Sequence, residues 1–312
     1  MSKGVLITGV NGFVGKHVAD RFQSLGFEVT GTARQRSPKP EVASSLDNYI
    51  AADMLDAQAV NHLSLDGVSA IIHLAGRSSV GESFQHPGEY ITQNPLMTHN
   101  LFDHAQRQGF EGRIVSVSTG ALYDPNQPLP LGEESKTAPN SPYAIGKLSA
   151  EAVALYFKSR GIDAVIARPF NHIGPGQGTG FLLPDLYSQL HSSEYGQTLR
   201  VGNLATRRDY TDVRDIARAY SDLATAQSLG RSIYNICSGK SLSGLEITGM
   251  IKDASGRQDV QTTVDPAKVR PNEILDIRGD YSQLHADTGW DPQIDIRQTV
   301  ADFVAHPVVD NR

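Results

Sequence analysis

Thr8-Gly9-Val10-Asn11-Gly12-Phe13-Val14-Gly15 follows directly on the apolar run Val5-Leu6-Ile7. An apolar run, glycines at 9, 12 and 15, then the helical pattern from Phe13 to Leu25 reads as strand, tight turn and helix. Glycine is needed where a backbone turns sharply, where it approaches an anion, and where a helix packs on a sheet. The helix N-terminus offers amide N–H groups and a positive dipole end to a phosphate. A strand–turn–helix without a ligand has the same spacing. Placement straight after the first strand makes a dinucleotide site the expectation. Its candidate residues are Gly9, Asn11, Gly12, Phe13, Val14 and Gly15.

Further apolar runs begin at Glu28-Val29-Thr30, Ala70-Ile71-Ile72-His73-Leu74, Arg113-Ile114-Val115-Ser116-Val117 and Ala164-Val165-Ile166-Ala167. Helical patterns lie between them, notably Tyr90 to Gln106 and Tyr143 to Phe157. Alternating β and α with unbroken apolar strands predicts an α/β fold, a doubly wound (Rossmann) parallel sheet covered on both faces. After Arg168 the rhythm changes. Pro169 to Gly180 is rich in Gly and Pro and reads as a loop. Helices are expected at Leu182 to Leu190 and Asp212 to Ala226, and a strand at Ser232 to Ile236. The expected division is a dinucleotide-binding domain over 1–168, to which 205–238 returns. A smaller C-terminal substrate-binding lobe takes 169–204 and 239–312.

The 312 residues carry a net charge of -6, which argues against an electrostatic nucleic-acid binder. A single cysteine, Cys237, excludes a disulfide framework and a cysteine-based zinc site, and fits a reducing compartment. His99 and His104 lack the carboxylates of a metal motif, so no metal is expected. No apolar stretch is long enough to span a membrane. The N-terminal run is cut by Gly and Asn with no cleavage site, so a cytoplasmic enzyme is expected.

A carboxylate at the end of the second strand would take the 2′-hydroxyl of an NAD ribose. This chain has Thr32-Ala33-Arg34-Gln35-Arg36 there. Arg34 suits a 2′-phosphate, so NADP (NADPH) is favoured, with NAD possible. The plain alternative is that Arg34 and Arg36 are solvated loop residues. Asp53, beside Met54, is a candidate acceptor from the adenine amino group, or else a helix cap.

Tyr143 and Lys147 stand four residues apart, on one face of a helix that Ser141-Pro142 starts. A nearby ammonium lowers a phenol pKa and tunes Tyr143 as a general acid or base. Thr119, just after the strand Ile114 to Val117, offers a hydroxyl to the substrate oxygen.

Thr8-Gly9-x-x-Gly12-Phe13-Val14-Gly15, His73-Leu74-Ala75-Gly76, Thr119 before Leu122-Tyr123, and Ser141-Pro142-Tyr143-x-x-x-Lys147 occur together and in order. In this the chain resembles the extended short-chain dehydrogenases/reductases of the sugar-nucleotide epimerase/dehydratase group. The resemblance implies a catalytic triad of Thr119, Tyr143 and Lys147. It adds Met54, Leu74, Ala75, Gly76, Tyr143 and Lys147 to the cofactor residues. It also implies a homodimer through the helices around Tyr90 to Gln106 and Tyr143 to Phe157.

Dehydratases of that group need acids directly after the Thr, where this chain has Gly120-Ala121. Elimination therefore lacks its acid and base. Arg168-Pro169-Phe170-Asn171-His172-Ile173-Gly174-Pro175-Gly176-Gln177 is similar to a segment of GDP-4-keto-6-deoxy-D-mannose (GDP-6-deoxy-D-mannose) reductases. Arg208-Asp209-Tyr210, Tyr234 to Gly239 and Asp265-Pro266-Ala267 with Arg270 follow in the same order. That likeness implies a GDP-4-keto-6-deoxymannose substrate and reduction at C4 to GDP-D-rhamnose or GDP-6-deoxy-D-talose. It implies Asn171, Arg208 and Arg270 around the diphosphate or nucleoside, with Thr119 also touching the sugar. Arg208 has a plainer reading as a surface partner of Asp212, and Arg270 as a solvated loop residue. Ser78 and Ser79 are candidate hexose contacts or simple turn residues. The competing activities are an NAD-retaining 4-epimerase and a non-catalytic dinucleotide sensor.

Overall fold

The computed structural model describes residues 3–266 and 274–307. In chain order its strands are β1 (Gly4–Thr8), β2 (Glu28–Ala33), β3 (Asn48–Ala51), β4 (Val68–His73), β5 (Arg113–Val117), β6 (Ala164–Pro169), β7 (Asn171–Ile173), β8 (Thr198–Val201), β9 (Arg207–Asp212), β10 (Ile233–Ile236), β11 (Ser241–Ser243), β12 (Gln261–Val264) and β13 (Asp276–Ile277). The helices are α1 (Phe13–Ser24), α2 (Pro40–Ala43), α3 (Ala57–Asn61), α4 (Val80–Ser83), α5 (Pro87–Arg107), α6 (Pro142–Ser159), α7 (Leu182–Ser192), α8 (Val213–Thr225), α9 (Gly244–Ser255), α10 (Ser282–Thr288) and α11 (Ile296–Ala305).

Seven strands form a parallel sheet in the order β10-β6-β5-β4-β1-β2-β3. The unbroken apolar strands are explained by their two-sided burial. Val5 and Ile7 of β1 join Val18, Phe22, Ile216 and Tyr220 on one face. Leu6 points the other way, to Leu101, Phe102, Ala154 and Phe157. Period-two alternation thus feeds two cores from one strand. The doubly wound expectation holds, and β1 lies between β2 and β4, where the winding reverses.

The second half differs from the sequence reading in two places. Pro169 to Gly180 is not all loop, because Asn171–Ile173 pairs with β9 in the register Asn171↔Tyr210. Pairing with a distant strand overrides the turn-rich composition. The strand Arg207–Asp212 belongs to a small sheet with β11, β13 and β7. The chain rejoins the large sheet only from Val213 onward. There α8 packs beside α1, with Arg21 Nε donating to Ser221 Oγ at 3.1 Å, and β10 completes the edge beside β6. A separate apolar cluster, including Leu183, Leu186, Val201, Ile247 and Phe303, gathers elements of the second half of the chain. Among the described residues no helix is long and apolar enough to cross a membrane.

Candidate active site

The turn after β1 is built around Gly9, whose φ of 70° lies in the left-handed region. A Cβ there would stand 2.8 Å from the Ala75 nitrogen, so only glycine lets the turn approach the end of β4. Gly12 begins α1 with no side-chain cap, so the first amides of the helix remain available to an external anion. Leu74-Ala75-Gly76 lies directly alongside. The Ala75 amide donates to Thr8 Oγ1 at 3.2 Å. This cradle fits a dinucleotide pyrophosphate.

Asn11 behaves differently from its neighbours. Its side chain is buried and turned toward the loop after β2. Its amide donates to Gln35 Oε1 at 3.2 Å and its carbonyl accepts from the Lys39 amide at 3.0 Å. Arg34 and Arg36 are exposed on that loop, and no ion pair holds either among the described residues. Asp53 follows β3, one strand further out. Its Oδ1 accepts from the Leu55 amide at 2.9 Å, a local turn contact on an exposed residue. Met54 is buried, and its carbonyl accepts from Asn100 Nδ2 at 2.9 Å.

Thr119, Tyr143 and Lys147 come together at the ends of β5 and α6. Ser141 caps α6 by accepting from the Ala144 amide at 3.2 Å, which fixes where Tyr143 enters the helix. Thr119 Oγ1 accepts from the Ala121 amide at 3.1 Å, and its hydroxyl acts on the Tyr143 phenol, drawing its pKa down. Lys147 Nζ donates to the Val117 carbonyl at 2.8 Å. A Cβ on Gly76 would stand 3.3 Å from that Nζ, so the lysine borders the cofactor cradle.

The electrostatics depart from the sequence expectation. Burial pushes the Tyr143 phenol up, and the Thr119 hydrogen bond only partly offsets it. No lowering by Lys147 is seen; its ammonium donates to the Val117 carbonyl. Burial lowers Lys147 itself to about 8, while Glu151 pulls it back up. One turn further along α6, Glu151 is buried and forms a bidentate pair with Arg168 at 2.8 and 2.7 Å. Arg168 also donates to the Tyr123 hydroxyl at 2.9 Å, and Tyr123 donates to Asn235 Oδ1 at 2.7 Å. Tyr123 is therefore part of a buried polar frame, with its pKa raised to about 12 by burial. Sequence reasoning missed Glu151. Its signal was the one-turn spacing from Lys147 with an Arg before Pro169.

Gly120 is buried against Phe170, where a Cβ would stand 2.8 Å from the ring. The turn after Thr119 thus touches the segment that leads into Asn171. Asn171 is exposed on β7, one strand from Arg208 on β9. Arg208 donates to the Ile274 carbonyl at 3.0 Å and the Arg207 carbonyl at 2.7 Å. It does not pair with Asp212, which is buried, caps α8 and binds Arg214 at 2.7 Å. Arg270 lies outside the described residues. Ser79 caps α4 by accepting from the Glu82 amide at 3.2 Å, and Ser78 is exposed beside it. Phe13 stacks on His172 with ring centroids 6.1 Å apart, and His17 Nε2 lies 2.9 Å from the Pro175 carbonyl oxygen. Among the described residues no group of His, Cys, Asp and Glu is arranged to hold a metal.

A model of the NAD dependent epimerase/dehydratase family matches residues 5–237. The chain is 33% identical over 306 residues to a GDP-6-deoxy-D-mannose reductase of Pseudomonas aeruginosa, covering 96% of this chain and 95% of that one. It is 28% identical to a dTDP-glucose 4,6-dehydratase of Streptomyces antibioticus, covering 95% and 90%. The solved structure of RMD from Pseudomonas aeruginosa complexed with NADPH superposes with a TM-score of 0.83 at 30% identity, covering 98% of each chain.

Proposed function

The chain belongs to the NAD-dependent epimerase/dehydratase family, and from that premise we propose that it reduces the C4 ketone of a GDP-4-keto-6-deoxyhexose with NADPH. The observation that carries this reading is the surroundings of Tyr143. Burial outweighs the opposing Thr119 contact and keeps its phenol protonated, the form a reduction starts from. The turn that supplies acids to a dehydratase offers none here. Ala121 has no ionisable group, and Gly120 is closed off by Phe170. The likeness to a reductase of a GDP-deoxyhexose supports the substrate class.

The cofactor is held by the turn at Gly9, Gly12, Phe13, Val14 and Gly15, and by Leu74, Ala75 and Gly76. Arg34 takes the 2′-phosphate, and Asp53 and Met54 flank the adenine. NADPH, when bound, supplies the hydride. Tyr143 donates its phenolic proton to the C4 oxygen. Thr119 donates a hydrogen bond to the same oxygen and so spreads the charge that builds there. Lys147, anchored on Val117, has further N–H groups for the nicotinamide ribose and keeps positive charge beneath Tyr143.

Asn171 and Arg208 face the diphosphate, a role the resemblance also gives to Arg270, and Ser78 and Ser79 border the hexose. The product is GDP-D-rhamnose or GDP-6-deoxy-D-talose. The cofactor half is 1–168 together with the return through α8 and β10, and the rest forms the substrate lobe. Two copies pair through α5 and α6, which expose Leu96, Ile145, Leu155 and Tyr156.

The test is loss of NADPH absorbance on mixing with GDP-4-keto-6-deoxymannose, with the C4 configuration read by NMR. Stoichiometric oxidation is expected. No oxidation by a protein that carries tightly bound NAD would replace this reading with a 4-epimerase.

A further inference from the structure

The loop that carries Arg34 and Arg36 is held from beneath by a residue that belongs to neither the glycine turn nor the loop itself. Tyr49 lies on β3, with its ring against the core beneath the sheet. Its hydroxyl donates to the Gln35 carbonyl at 2.7 Å and lies 3.4 Å from the Ala33 carbonyl oxygen. Asn11 Nδ2 completes the arrangement at 3.5 Å from the same hydroxyl, at 3.2 Å from Gln35 Oε1 and at 3.4 Å from the Ser37 carbonyl. From the other side, Asn11 Oδ1 accepts from the Lys39 amide. The main chain is thereby gripped at 33, 35, 37 and 39, on both sides of each arginine. The arginines themselves are exposed and take no part in the grip. A flexible loop would lose entropy on closing round a phosphate, and a loop already fixed avoids that loss.

We propose that Tyr49 is a positioning residue for cofactor choice. Its hydroxyl, with the Asn11 amide, fixes the path from Ala33 to Lys39 so that Arg34 and Arg36 stand ready for the 2′-phosphate of NADPH. The proposal rests on the assignment of the 2′-phosphate to Arg34. It adds that selectivity depends on a tyrosine that acts through the main chain of the loop. Because Asn11 stands in the glycine turn, the pyrophosphate end and the 2′ end share one hydrogen-bonded frame.

Dissociation constants for NADPH and NADH, measured by fluorescence on the whole protein, provide the test, with Tyr49→Phe and Arg34→Ala alongside the unaltered chain. Tyr49→Phe keeps the ring and its packing and removes only the hydroxyl. Loss of that hydrogen bond should weaken NADPH about three- to tenfold and leave NADH within about twofold. Arg34→Ala should reduce the same preference further. If Tyr49→Phe leaves the NADPH/NADH ratio unchanged while Arg34→Ala collapses it, the positioning role is wrong and the phosphate assignment stands. If Tyr49→Phe weakens both cofactors alike, the tyrosine is merely structural and the proposal falls. An unchanged ratio in Arg34→Ala overturns the phosphate assignment, and this proposal with it.

Discussion

At the scale of single residues, the proposed reduction draws its proton from Tyr143 and a neighbouring positive charge from Lys147. Tyr143→Phe removes the donor while keeping the ring in its buried seat. The variant should melt like the parent and bind NADPH, yet reduce the ketone about 100- to 10,000-fold more slowly. Near-parental turnover in a stopped-flow assay would remove Tyr143 from the chemistry. Lys147 sits at about 8, lowered by burial. Its ammonium is present below that pH and lost above it, so kcat/KM, which reports the free enzyme, should fall as pH rises through about 8. In Lys147→Arg the positive charge persists, and that alkaline fall should move upward even if the rate drops. A kcat/KM profile with its fall unmoved in the variant would assign the limb to another group. The spacing of Tyr143 and Lys147 was legible in the sequence. The direction of the tyrosine shift was not, because it depends on how deeply the folded chain buries the phenol.

Elements explain why so much of the fold could be read and why some could not. The strands of the large sheet announce themselves because both faces are buried, so every residue from Val5 to Ile7 is apolar. β7 gives no such sign: three residues in a stretch rich in Gly and Pro become a strand only because β9 lies beside them. The α5–α6 contact was legible as two helices, but its closeness was not. Gly146 lies where any Cβ would collide with the Tyr90 carbonyl oxygen. Gly146→Ala should therefore push α6 off α5 and destabilise the protein by roughly 1–3 kcal/mol. Because the same helix carries Tyr143 and Lys147, turnover should fall with it. Chemical denaturation with a parallel rate assay checks both, and an unchanged midpoint would mean the helices can separate freely.

For the molecule as a whole, the outward side of α6 is the informative surface. Leu148, Ala152 and Leu155 follow a spacing that suits a core or an interface equally well. Leu155 and Tyr156 prove to be exposed, at 37% and 56%. The core side of α6 is instead made by Ala144, Ala150, Ala154 and Phe157. Leu155 and Tyr156, with the exposed Leu96 of α5 and Ile145 of α6, suit the proposed contact with a second copy. Leu155→Arg combined with Tyr156→Glu should turn a dimer into a monomer in light scattering, with the NADPH site intact. A parent already monomeric at micromolar concentration would end the dimer assignment. The contact of Phe13 with His172 and of His17 with Pro175 has a different reach. Phe13 and His17 stand on the helix that begins at the glycine turn, and His172 and Pro175 lie beside Asn171, in and just after β7. A ligand that shifts one of these partners does mechanical work on the other. By thermodynamic reciprocity, whatever factor the dinucleotide adds to the affinity for the sugar nucleotide, the sugar nucleotide must add to the affinity for the dinucleotide.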